Sequence, residues 1–394
     1  MALLSHETAL ILSGGGARAA YQVGALRALA KLTPRGRPLP FPILCGTSAG
    51  AINAATLAIH ADDFRRGVAR LIRWWRRVRT ADVYRADLAT LSRHSMHWLA
   101  DVLIGRAGPA EAASMLDSAP LGRLLRDAID FSRVDARIRD GSLHALAINA
   151  TSYSTGFAIT FFAGATTAQP WRRMRREGRR AELGVDHLLA STAIPFVFPA
   201  VAIDDDWYMD GSVRQSTPLS PALHLGARRV LVLAVGQFAG QRNAPTHHPG
   251  YPSFAQTAGH ALSTIFLDNL GADLERLHQI NRLASVTTPD EIARRGLKVG
   301  HVDAFVLAPS RDVGEIALAF AAQLPGGVRY LLRGFGSTRG TGANLTSYLL
   351  FEPGFVRALL ALGYADAMAR REELEAFLAV VGASYVPVLP PDLA

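Results

Sequence analysis

Cysteine and lysine are nearly missing from this 394-residue chain. The one cysteine, Cys45, excludes an internal disulfide, a cysteine-cluster zinc site and an iron–sulfur centre. Lys31 and Lys298 are the only lysines, so arginine supplies nearly all of the 42 basic residues; against 33 acidic ones the net charge is +9. An arginine bias of this kind follows genome composition as readily as function, so net charge alone does not point to an anionic partner. The N-terminus, Met1-Ala-Leu-Leu-Ser-His-Glu-Thr8, lacks a basic segment and a long apolar run. No cleaved signal peptide is therefore expected, and a cytoplasmic location is. Two stretches, 38–61 and 141–171, carry no Asp, Glu, Lys or Arg and are long enough to span a bilayer. The first is broken by Pro38, Pro40, Pro42, Gly46 and Gly50, the second by Gly156 and Gly164, and both read as buried strands and turns. No group of ligand-type residues has metal-binding spacing, so neither a metal nor a cofactor is expected.

Hydrophobic residues make up 49% of the chain and charged residues 19%, which is the balance of a globular protein with a large core. Ala9-Leu-Ile-Leu12 is a short apolar run that ends in Ser13-Gly14-Gly15-Gly16. It reads as a buried strand meeting a tight loop. Helical spacing follows over 17–31, then a proline-rich loop, a second strand at Ile43-Leu44-Cys45, a turn, and an Ala-rich helix over 51–59. Strand–helix alternation of this kind implies a parallel α/β sheet. Further strands are predicted at 143–153, 157–162, 201–209, 229–235 and 302–307. Helices are predicted at 62–79, 113–129, 185–192 and 254–283, and the chain after Arg311 is predicted to be mostly helical, closing over 372–380. The simplest organisation is one catalytic domain over 9–235 with a mainly helical extension, 236–394, packed on it; a boundary near residue 220 is the alternative.

Gly46-Thr47-Ser48-Ala49-Gly50 fits G-x-S-x-G between a strand and a helix. A serine on so sharp a turn crowds its neighbours, so positions two before and two after, Gly46 and Gly50, must be nearly free of side chain. The turn also sets Ser48 at a helix N-terminus, where free N–H groups favour developing negative charge. An incidental serine in a glycine-rich turn is the bland alternative. Ser13-Gly14-Gly15-Gly16-Ala17-Arg18 offers a second set of backbone amides, suited to an oxyanion or a phosphate. The same string fits a dinucleotide fingerprint. That reading wants an acid about 20 positions on, and no Asp or Glu lies between Glu7 and Asp62. An NADP site using Arg35 or Arg37 is the remaining form of it. Tyr208-Met209-Asp210-Gly211-Ser212 closes a strand, but with Asp204, Asp205 and Asp206 nearby composition does not single out Asp210.

Taken in order, Gly14-Gly15-Gly16-Ala17-Arg18, Gly46-Thr47-Ser48-Ala49-Gly50, Ala190-Ser191-Thr192-Ala193-Ile194-Pro195-Phe196-Val197-Phe198-Pro199 and Asp210-Gly211 resemble the patatin-like phospholipase family of bacterial type. The resemblance implies a three-layer α/β/α fold with a mainly parallel central sheet and a helical C-terminal extension. It implies a lipid acyl hydrolase, of phospholipase A or lysophospholipase type, with phospholipid or lysophospholipid as substrate. By position it makes Ser48 the nucleophile, Asp210 the base, Gly14, Gly15 and Gly16 the oxyanion donors with Arg18 beside them, and Gly46 and Gly50 the flanks of the nucleophile elbow. Two departures stand out: Ala19 where the family often has Gly, and Ser212 where it often has a second Gly after the Asp.

Three alternatives stay open at this level. A Ser-His-Asp hydrolase could draw on one of 12 histidines, with His301 placed in a late strand; against it, the elbow follows only one or two strands. A non-catalytic nucleotide- or lipid-binding module could use the Gly14–Gly16 loop without turnover. Finally, residues 64–79 put Phe64, Val68, Leu71, Ile72, Trp75 and Val78 on one face and seven arginines, Arg65 to Arg79, on the rest, with no acid. That helix either packs on the core with a solvated basic face or lies on an anionic membrane with Trp74 at the interface. Residues 171–180 add six arginines and read as a surface loop. The basic windows lack interleaved aromatics and any nucleic-acid motif, so no nucleic-acid partner is expected.

Overall fold

Thr8–Leu12 (β1) and Ile43–Thr47 (β2) are buried at every position. Strands with no polar face need cover on both sides, which a sheet between two helical layers supplies. The computed structural model describes residues 7–85, 114, 116–215, 219–236, 270–285, 294, 301–334 and 341–379. Its ten-stranded sheet is completed by Ala145–Ser152 (β3), Ala158–Gly164 (β4), Trp171–Arg173 (β5), Arg176–Arg180 (β6), Val201–Ile203 (β7), Asp206–Asp210 (β8), Arg229–Leu233 (β9) and Asp303–Leu307 (β10). The order is β10-β9-β1-β2-β3-β4-β6-β5, and the five strands from β10 to β3 run parallel. The fold is the three-layer α/β arrangement expected from the sequence.

One face of the sheet is covered by Ala20–Leu32 (α1), Ala49–Ala58 (α2) and Phe64–Arg77 (α3). The other buries a separate apolar cluster against the Leu219–His224 and Leu270–Ser285 helices. After Arg311 the chain forms the helices Val313–Leu318, Gly326–Gly334, Thr341–Leu349, Pro353–Ala369 and Arg371–Ala379. Pro353–Ala369 lies along α1, where Arg27 sits 4.8 Å over the Tyr364 ring. The helix predicted over 113–129 is found as Ala119–Ala128, and of that predicted over 254–283 the part before 270 lies outside the described residues. The uncharged stretches became β2 with α2 and β3 with β4, and no described helix is long and apolar enough to cross a membrane.

Two expectations are corrected. The single strand over 201–209 is a hairpin, β7 and β8, turned at Asp204 with a φ of 53°. Aspartate tolerates that left-handed corner better than most residues. The arginine-rich loop over 171–180 is also a hairpin, β5 and β6, with β6 parallel to β4 at the sheet edge. Backbone pairing satisfies the amides there while the guanidinium groups stay wet, and a charged edge strand resists further pairing.

Candidate active site

β3 brings the site together. Along one edge it pairs with β2 as far as Thr47 opposite Asn149; along the same edge β8 arrives from the other direction and stops with Asp210 opposite Ala150. Ser48, the first residue past β2, and Asp210, the last residue of β8, therefore lie where two strand ends meet head to head, although 162 positions separate them in the chain.

Ser48 holds φ 55° and ψ −131° at the N-cap of α2. That region belongs to glycine, and a serine there costs about 1–3 kcal/mol. The neighbours make room for the turn. A Cβ on Gly46 would lie 2.5 Å from the Ala51 Cα, and one on Gly50 would lie 2.4 Å from the Leu12 carbonyl oxygen. The Ser48 N–H donates to Ser191 Oγ at 2.8 Å, and that hydroxyl donates on to the Asn149 carbonyl at 2.5 Å. Asn149 Nδ2 in turn donates to the Gly46 carbonyl at 3.0 Å, and Asn149 Oδ1 accepts from the Thr160 hydroxyl at 2.6 Å. The elbow is thus tied to β3 on both sides of the serine. Sequence spacing carried no sign of Ser191 or Asn149 as its anchors, because the contacts cross between strands.

Asp210 is completely buried. Its Oδ1 accepts from the Ser212 N–H at 2.7 Å, and its own N–H donates to the Ala193 carbonyl at 2.8 Å. The Ser48 and Ser212 hydroxyls also face the carboxyl and favour its charged form, but burial outweighs them and pushes its pKa up to about 6. Oδ2 has no hydrogen bond of ordinary length and angle in this resting geometry. Such bonds often tighten only when substrate arrives. The neighbouring aspartates are used elsewhere: Asp206 accepts from the Ser152 and Ser154 hydroxyls, both at 2.6 Å, and Asp204 makes the hairpin corner.

The glycine loop runs beside the serine. A Cβ on Gly14 would lie 3.3 Å from the Ser48 Cβ, and Gly16, at φ 53°, lines the same cavity as Ser48. Arg18 is buried, with Nε donating to Ser347 Oγ at 2.6 Å and its guanidinium 4.3 Å over the Tyr348 ring. Its side chain fastens the loop to the Thr341–Leu349 helix. The cavity in front of Ser48 is small, about 30 Å³, and apolar, walled by Trp74, Trp75, Leu121, Ile194 and Phe198 among others. Trp75 is fixed by its Nε1–H, which donates to Asn53 Oδ1 at 2.8 Å. Trp74, its neighbour on the same helix, is partly buried and also lines the cavity. His301 lies far away, before β10 at the opposite end of the parallel strands, and pairs with Asp303 at 2.9 Å.

The family model for patatin-like phospholipases matches residues 10–223, more than half of the chain. The chain belongs to the patatin-like phospholipase family. Its members are lipid acyl hydrolases. A search of the curated proteins gives no match. The two departures from the patatin-like pattern are accommodated in this structure. Ala19 points into the core, fully buried, with its carbonyl accepting from Asn53 Nδ2 at 3.2 Å, and so does not crowd the loop. Ser212 still supplies its backbone N–H to Asp210, and a Cβ on Gly14 would meet its hydroxyl at 2.2 Å, which leaves glycine as the residue that fits beside it.

Proposed function

We propose that this patatin-like protein is a serine acyl hydrolase that cleaves fatty-acyl esters of membrane phospholipids or lysophospholipids. The observation that carries the reading is a strained serine opening on an apolar cavity with a fully buried carboxyl facing its hydroxyl. Asp210 takes the proton as Ser48 Oγ adds to the ester carbonyl, then returns it to the leaving alcohol; water repeats the sequence on the acyl-enzyme. The Gly14–Gly16 amides receive the oxyanion, a contribution of about 3–4 kcal/mol per donor in comparable sites. Arg18 holds that loop in place.

A carboxylate at the ordinary pKa is a poor base near neutrality, and burial corrects this. Because Asp210 must be ionised to accept the proton, log kcat/KM is expected to fall with unit slope below about pH 6 and to level above it. A pH–rate profile on a soluble ester checks this; an acid limb centred near pH ~4, the ordinary aspartate value, would speak against a buried base. A fluorophosphonate probe is expected to label Ser48, with mass spectrometry of lipid products from a mixed membrane extract giving the bond cleaved. An unlabelled protein would leave a non-catalytic binding module as the reading.

Membrane approach falls to the outer face of α3. Phe64, Val68, Leu71 and Trp75 are spent on the core, and Arg65 donates to the Lys31 and Thr33 carbonyls at the end of α1. Arg66 and Arg79 face Asp62 and Glu352 at 3.4 and 3.9 Å. Arg70, Arg73, Arg76 and Arg77 are left as an exposed cationic face on the same helix whose Trp74 and Trp75 wall the cavity. Attachment through them is electrostatic, so flotation with anionic liposomes is expected to be lost at high salt and with neutral liposomes. Equal flotation with both would end this part of the proposal.

A further inference from the structure

A second concave site lies on the other side of the sheet. A cleft of about 800 Å³ opens between the β5–β6 hairpin and the Leu219–His224 and Leu270–Ser285 helices. Its apolar lining comes from Leu219, Leu223, Leu277 and Ile280; its charge comes from Arg172, Arg173, Arg176 and Arg276. It shares no lining residue with the cavity at Ser48.

Two of the six arginines over 171–180 are already engaged. Arg179 pairs with Glu177 at 2.8 Å, and Arg180 donates to the Gly164 and Ala165 carbonyls at 2.7 and 2.9 Å. These two are structural. Among the described residues the four that line the cleft have no carboxylate within ion-pair distance, and their side chains make one hydrogen bond, from Arg173 to the Arg172 carbonyl at 3.4 Å. One wall is rigid: Trp171 is stacked on Phe162 at 5.3 Å and 21° and on His224 at 5.0 Å and 25°. Burial and the charges of Arg173 and Arg176 push the His224 pKa down. Asp273 is the cleft's single carboxyl, half-buried, with Arg176 and Arg276 as its nearest charges.

Four arginines against the one carboxyl leave the cleft with an excess of positive charge, which disfavours the folded chain unless an anion relieves it. Guanidinium groups match phosphate oxygens in pairs, and the volume is that of a small-molecule site. A bare phosphate would leave the leucine and isoleucine floor uncovered. We propose that this cleft binds a phosphate-bearing amphiphile, its phosphate on the arginines, its apolar body on the floor, and a hydroxyl within reach of Asp273. The proposal stands apart from the acyl hydrolase reading.

The test uses the scarcity of cysteine. Cys45 is fully buried, so Ser220→Cys places one accessible thiol in the cleft for an environment-sensitive dye. The labelled protein is titrated with octyl phosphate below its micelle concentration, octanoate and inorganic phosphate, and with phosphatidylcholine vesicles with and without phosphatidic acid. Octyl phosphate is expected to half-saturate the signal at a concentration at least about tenfold below the other two soluble probes, since each 1.4 kcal/mol of added contact is a factor of ten. A response to phosphatidic acid vesicles assigns a membrane lipid as the source of the phosphate. A response confined to octyl phosphate assigns a soluble phosphate ester. Arg176→Ala with Arg276→Ala is expected to raise half-saturation at least about tenfold with an unchanged melting curve. Should that pair unfold, the exposed Arg172→Ala and Arg173→Ala give the same reading. Ser48→Ala should leave the signal intact. The proposal is overturned by silence towards octyl phosphate, by equal response to inorganic phosphate, by indifference to the arginine variants, or by loss in Ser48→Ala.

Discussion

Ser48→Ala is expected to abolish both fluorophosphonate labelling and ester hydrolysis, with kcat down by at least about a thousandfold, as when the nucleophile is removed from a serine hydrolase. The loss would be chemical, because alanine changes neither the turn nor the N–H that Ser191 holds at 2.8 Å. Ser48→Gly separates chemistry from strain. It is equally inactive, but it relieves a φ of 55° and ψ of −131° that only glycine adopts at ease. It should therefore be more stable than the parent by about 1 kcal/mol or more, read as a higher denaturant midpoint. Near-normal turnover in either variant would remove Ser48 from the mechanism.

The second large effect is at Asp210. Asp210→Asn is expected to be inactive and, at neutral pH, more stable than the parent. Its folded pKa, about 6, lies above the ordinary value of 3.8. Between those values the folded chain binds the extra proton, so its stability falls as pH rises through the window and stays low above it. The shift amounts to roughly 2–3 kcal/mol at 1.36 kcal/mol per pKa unit. Asparagine carries no charge and keeps an oxygen for the Ser212 N–H, so the variant escapes that cost. Its advantage in denaturant midpoint should be full above about pH 6 and vanish below about pH 4. An advantage independent of pH, or a variant less stable than the parent at neutral pH, would mean that Asp210 is not held charged against burial. Strain at Ser48 and desolvation at Asp210 are both local sacrifices of stability at one place, the pattern expected where chemistry is done.

How much of this was legible beforehand differs from residue to residue. Gly46 and Gly50 announced the turn because steric crowding acts within five consecutive positions. The apolar runs at Thr8–Leu12 and Ile43–Thr47 announced buried parallel strands because every side chain in them needs cover. Asp210 was named by resemblance to other proteins, since four aspartates within seven positions look alike in composition. The hairpin over 171–180 was missed because six arginines outweigh a pairing pattern whose partner, β4, is not adjacent in sequence. The helix over 64–77 showed its two faces plainly, but not that Trp74 turns to the cavity.

By itself, then, the order of residues determined most of the elements and the sharp turn at Ser48, both consequences of short-range sterics and of where apolar side chains recur. Only the folded arrangement decided which aspartate faces that serine and how far its carboxyl is removed from water. It also decided that Arg18 serves as a clamp on Ser347 and Tyr348, and that four arginines share a cleft with a single carboxyl, Asp273. Those properties depend on strand order and desolvation, which arise from contacts between segments far apart in the chain.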